Sequence, residues 1–164
     1  MKLFLKVLIS TFVIVTLLTT VPFQHTCKNL NNDVLRLHII ANSDSESDQN
    51  LKLFVRDSVL SQCSSLYNNV KSKERAEEIT LENLSLIESS AKNAVLEKGF
   101  DYDVDVSLTK TFFDTRYYDD FTLPAGEYSA VQIKIGEAKG KNWWCVMYPS
   151  LCVEKKTKIS MQED

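Results

Sequence analysis

The stretch from Asp33 to Asp57, DVLRLHIIANSDSESDQNLKLFVRD, constrains the fold more than any other part of the chain. Leu35, Leu37, Ile39 and Ala41 are apolar, and Val34 and Ile40 add apolar weight on the other side, so the run reads as a strand buried on both faces. Such a strand belongs near the middle of a sheet. The hinge Asn42-Ser43-Asp44-Ser45-Glu46 has the chemistry of a helix start, with Ser43 accepting from an orphan amide and Glu46 reaching back to it. Asp44, Glu46 and Asp48 place negative charge at the positive end of the helix dipole. A calcium loop would need a glycine at its turn, and none is present in the hinge, so this acidic cluster reads as capping.

The periodicity predicts a helix from about Asp44 to Tyr67, with Leu51, Val55, Val59, Cys63 and Leu66 along one stripe. Lys52 and Arg56 fall between that stripe and a second row of Leu53, Leu60 and Tyr67; Asp48, one turn before Lys52, offers it an ion pair. Arg56 fits either a bond to a sheet end or a recognition surface. Ser72 caps a second helical stretch that reaches Lys98, bends near Thr80 and stops at Gly99. From Tyr102 the period changes to two, through Val104, Val106 and Leu108. Pro124-Ala125-Gly126 makes a turn into a strand from Tyr128 to Ile135, and a turn through Gly140 leads to a strand from Trp143 to Tyr148.

These elements predict a two-layer α/β domain of α+β-like character: a four-stranded sheet with two to three helices on one face, in the order β-α-α-β-β-β. The last three strands are expected as a meander; if the first two are parallel neighbours, their crossover should be right-handed. Trp143 and Trp144 must point to opposite faces of their strand. Either one is exposed as an interface anchor, or the C-terminal tail covers it.

At 164 residues, 44% of them apolar, the chain fits one domain, and a formal charge of −3 argues against a nucleic-acid surface. Leu3 to Phe23 is the one strongly apolar block, with Lys2 and Lys6 at its start, which is a secretory signal pattern. Its core from Val7 to Val21 is short for a spanning helix, which needs about 20 residues, and cleavage or retention as an N-terminal anchor both remain open. The expected division is signal peptide or anchor 1–23, tether 24–32, domain 33–153 and charged tail 154–164. In an oxidising compartment Cys145 and Cys152, with Pro149 between them, are a candidate disulfide; two thiols packed as small apolar groups are the alternative. Cys27 falls in the tether and Cys63 on a helix, and no Cys/His zinc spacing exists, so no cofactor or metal is expected.

No hydrolase, phosphate-binding or dinucleotide motif is present, and His38 is the one histidine outside the tether. It reads as structural, with a Cys63–His38 pair in an extracytoplasmic hydrolase as the competing reading. The Tyr117-Tyr118 and Trp143-Trp144 pairs keep a cell-wall-binding module open, since sugar rings stack on such side chains.

Two segments carry a family resemblance: His38 to Asp57, HIIANSDSESDQNLKLFVRD, and Leu123 to Cys152, LPAGEYSAVQIKIGEAKGKNWWCVMYPSLC. Together they resemble the stage II sporulation protein R family, over about Val34 to Val153; Glu137-Ala138-Lys139 stands where that family usually has a glycine-richer turn. The resemblance implies a signalling protein of endospore formation, exported to the space between the two sporulation membranes. Its implied partner is a membrane-embedded aspartic protease, which it activates to process the sigma-E precursor in the mother cell. It implies no catalytic residue, cofactor or small-molecule substrate. Asn42, Ser43, Asp44, Arg56, Trp143 and Trp144 are the candidate partner-binding residues, because each shows more polar or aromatic character than packing needs.

Overall fold

The structure is a computed structural model that describes residues 4–16, 33–117 and 122–149. Residues 4–16 are helical with exposed apolar side chains, Phe4 and Phe12 most of all. Among the described residues no helix is long and apolar enough to cross a membrane.

The domain begins with β1 (Leu35–Ile40), whose first five residues are buried on both faces, as the double-sided apolar run requires. Next come α1 (Glu46–Cys63), a 3-10 turn (Ser64–Tyr67), α2 (Lys73–Glu82) and α3 (Leu84–Glu97). The second helical stretch is therefore two helices, broken at Asn83 rather than bent at Thr80; the Asn83 side chain donates to the Ile79 carbonyl, 2.8 Å away. Ser72 caps α2 by accepting from the Arg75 amide, and Gly99, at φ +79°, ends α3.

The strands β2 (Val104–Phe113), β5 (Gly126–Ile135) and β6 (Asn142–Tyr148) complete a four-stranded sheet with β1, in the order β2-β5-β1-β6. The short β3 (Arg116–Tyr117) and β4 (Thr122–Leu123) pair with each other. β1 runs parallel to β5 and antiparallel to β6, while β2 pairs antiparallel with β5. The expected meander is thus interrupted, because β1 sits between β5 and β6. The physical reason lies in β1 itself: a strand apolar on both faces is most stable with a neighbour on each side. β2, whose Asp105 is exposed and whose Val106 and Leu108 are only half-buried, goes to the edge. It does not touch β1, so the parallel crossover runs from β1 to β5.

The helices cover one face. Leu35, Leu37 and Ile39 of β1, Val131, Ile133 and Ile135 of β5, and Trp143, Cys145 and Met147 of β6 meet Leu51, Val55, Val59 and Cys63 of α1 and Ile87, Ala91, Ala94 and Val95 of α3. The small Ala91 and Ala94 let α3 approach closely. The other face carries a smaller cluster of Val34, Phe113, Leu123, Tyr128, Ala130 and Val146, with Trp144 packed against it.

Candidate functional site

The hinge after β1 is organised around Asp48. Its Oδ2 accepts from the Asn42 side-chain amide at 2.9 Å and from the Ser43 hydroxyl at 2.6 Å, and its backbone amide donates to Ser45 Oγ at 3.2 Å. Ser45, not Ser43, is therefore the capping residue, and Asp48, not Glu46, is the acid that reaches back. The helix begins at Glu46, so the residue just before it has the capping geometry. Burial alone would raise the Asp48 carboxyl, but the hydrogen bonds from Ser43, Asn42, Tyr102 and Ser45 outweigh it and hold the group below its ordinary range.

The turn between β5 and β6 closes onto this hinge. The Asn42 side-chain oxygen accepts from the Glu137 amide at 2.9 Å, and its carbonyl accepts from the Lys139 amide at 3.2 Å. The Ala41 carbonyl accepts from the Gly140 amide at 2.9 Å, and Asp44 Oδ1 accepts from the Lys141 amide at 2.7 Å. From below, the buried Lys52 ammonium donates to Gln49 Oε1 at 2.6 Å and to the Lys141 carbonyl at 3.3 Å. Gln49 in turn donates to the Ser43 carbonyl at 2.8 Å. The turn lies so close that a Cβ at Gly140 would collide with the Ser43 carbonyl, and one at Gly136 with the Asn42 side chain. Ala138 takes φ +51° in the same turn, the left-handed region where a glycine is unstrained.

Arg56 lies beside this junction, its guanidinium 4.3 Å from the centre of the Trp143 ring and its Nε donating to Asp57 at 2.7 Å. Trp143 is 7% exposed, covered on the helix side of the sheet. Trp144 points to the other face, half-buried, and stacks on His38 with ring centres 3.8 Å apart. The two indoles do face opposite ways, and neither is an exposed anchor, because Arg56 closes over one and His38 backs the other.

His38 is held between two amide side chains. Asn142 Oδ1 lies 2.8 Å from its Nε2, and Gln132 Nε2 lies 3.1 Å from its Nδ1. An oxygen on one side and an N–H on the other fix the neutral ring with its proton on Nε2. Burial lowers its pKa below 6.5; the bond to Asn142 opposes this, and the nearby charges of Arg36 and Lys134 add to the lowering. Cys63 packs with Leu35, Leu37 and Ile39 on the helix side, and burial pushes its thiol up. His38 alternates with those residues and so lies on the opposite face. The sheet separates the two groups, and no Cys63–His38 pair assembles.

Of the candidate partner-binding residues, Asn42, Ser43 and Asp44 come together in the junction and Arg56 with Trp143 stands next to it, while Trp144 lies across the sheet. Asp44 is exposed, and Asn42, Ser43, Arg56 and Trp144 are half-buried. Gln132 and Asn142, which hold His38, and Lys141, which joins the two loops, escape a reading of the sequence, since nothing in the local pattern marks a partner about a hundred residues away. Among the described residues no group of histidine, cysteine and acidic side chains is placed to hold a metal. Cys145 is buried in β6, and Cys152 lies outside the described residues.

Fold and junction define a class: a two-layer α+β domain whose two signature segments meet in one loop-to-loop lock. The chain belongs to the stage II sporulation protein R family, whose model matches residues 31–158. It is 37% identical over 121 residues to stage II sporulation protein R of Bacillus subtilis (strain 168), covering 74% of this chain and 54% of that protein. The chain thus spans about half the length of that curated relative. No solved structure matches it.

Proposed function

We propose that this protein is an exported signalling protein of endospore formation. In this reading its domain binds the extracytoplasmic side of a membrane-embedded aspartic protease and activates processing of the sigma-E precursor in the mother cell. The observation that carries the reading is the family match over residues 31–158, which contains both segments of the junction. The exposed apolar helix over residues 4–16 supports export through a signal peptide or anchor. A disulfide between Cys145 and Cys152 belongs to the same reading; it is supported by Cys145 being a bonded cysteine, whereas Cys63 is free.

A ligand activates only to the extent that it binds the active state of its target more tightly than the inactive one. That demands a surface of fixed shape, and the junction supplies one: Asp44 and Arg56 are reached from solvent on a frame locked by Asp48, Gln49 and Lys52. The test is co-production of the chain with the candidate protease and its sigma-E precursor. Precursor cleavage should depend on the chain and should fall in the Asp44→Ala, Arg56→Ala and Trp143→Ala variants. Wild-type cleavage in all three folded variants would show that the contact lies elsewhere. No cleavage with the native chain would overturn the activation itself.

A further inference from the structure

The outer edge of β2 carries no strand among the described residues, since β2 pairs with β5 alone. The edge is ten residues long and contains neither proline nor glycine. Natural sheets usually blunt such an edge; here Asp105 and Lys110 are its only charges. On the helix side of the sheet its side chains are Val104, Val106, Leu108, Lys110 and Phe112; on the other side they are Asp105, Ser107, Thr109, Thr111 and Phe113. Phe112 is 61% exposed, and Val106 and Leu108 are half-buried at the rim of the core.

We infer that this edge pairs with the same edge of a second copy, antiparallel and two-fold about Leu108. A two-fold interface requires a self-complementary surface. The sequence VDVSLTKTF from Val104 to Phe112 has that property when read in both directions from Leu108. Leu108 then faces the partner's Leu108 on the helix side, and Val104 faces the partner's Phe112 at each end, covering the exposed ring. On the opposite side Ser107 meets the partner's Thr109, a hydroxyl pair suited to adjacent strands. Lys110 falls opposite the partner's Val106, where its stem packs and its ammonium reaches water. Shifting the register by one residue would set helix-side residues against those of the other face, so this alignment is distinguished from its nearest competitors. The product is a continuous eight-stranded sheet with both helix layers on one side, leaving the Asp44 and Arg56 surface of each copy free.

Cysteine cross-linking in the full chain, in detergent micelles, tests the register. Leu108→Cys should yield a disulfide-linked dimer under mild oxidation, because paired residues in adjacent strands lie within disulfide reach. Lys110→Cys alone should not, whereas an equal mixture of Val106→Cys and Lys110→Cys chains should give the mixed dimer. Sedimentation of the native chain should show a dimer, and Phe112→Lys should weaken it by about tenfold or more in association constant. A native chain that sediments as a monomer overturns the inference, as does cross-linking at 110 equal to that at 108. Failure of protease activation would leave these outcomes unaffected.

Discussion

The side chain of Asp44 accepts a hydrogen bond from the backbone amide of Lys141 at 2.7 Å, across 97 residues of sequence. It joins the first signature segment to the second. An isolated acid in a hinge would be a solvated cap; this one holds the β5–β6 turn against the start of α1. Removing the carboxylate leaves the Lys141 amide to find water, and Asp44→Ala should cost about 1–2 kcal/mol of folding stability. Asp44→Asn keeps an acceptor and should lose less, as chemical denaturation of the two variants would show.

His38 makes the fold sensitive to acid. Its pKa is lowered in the folded chain and near 6.5 in the unfolded one. Above pH 6.5 neither state takes a proton there, so stability is unaffected by this group. As the pH falls below 6.5 the unfolded chain binds a proton that the folded chain refuses, and stability drops by up to about 1.4 kcal/mol per pH unit until the folded pKa is reached. Denaturation midpoints between pH 7 and pH 5 should fall for the native protein and fall less for His38→Gln. Equal slopes would mean that His38 is not the group responsible.

The turn from Gly136 to Lys141 holds two residues whose substitutions should act in opposite directions. Gly140→Ala drives a methyl group into the Ser43 carbonyl and should destabilise by several kcal/mol or shift the loop, seen as loss of amide protection at Gly140 and Lys141. Ala138→Gly relieves a left-handed residue and should stabilise by about 0.5–1 kcal/mol, read from thermal midpoints.

The contact of Arg56 with Trp143 should be measurable as a coupling. A double-mutant cycle of Arg56→Ala and Trp143→Phe is expected to give about 0.5–1 kcal/mol, the range for a cation over an aromatic face near the surface. Zero coupling would show that Arg56 covers the indole without being attracted to it.

The local features of this fold were legible in the sequence because their causes are local. The two-sided apolar run of β1, the Ser72 cap and the Gly99 stop each depend on residues within a few positions of one another. Position within the sheet was less legible: β5 and β6 adjoin in sequence, and nothing in their own pattern announces that β1 passes between them. At the site, the opposite orientations of Trp143 and Trp144 followed from strand alternation. What covers each did not, since Arg56 and His38 reach them only through tertiary packing. The hinge was recognised as a cap, but its register was displaced by two residues, because Ser43 and Ser45 offer the same oxygen and only the position of Asp48 decides between them.

The central place of β1 also orders the events of assembly. It is the first strand of the domain to be made, yet both its neighbours, β5 and β6, are the last two long strands, and its parallel partner does not begin to pair before Ser129. Until then its apolar faces have helices to lean on but no ladder to join, so folding waits for contacts of high sequence separation. A chain threaded from its N-terminus through a narrow pore would therefore emerge with its future core strand unpaired, and would close only once Tyr148 had cleared the exit.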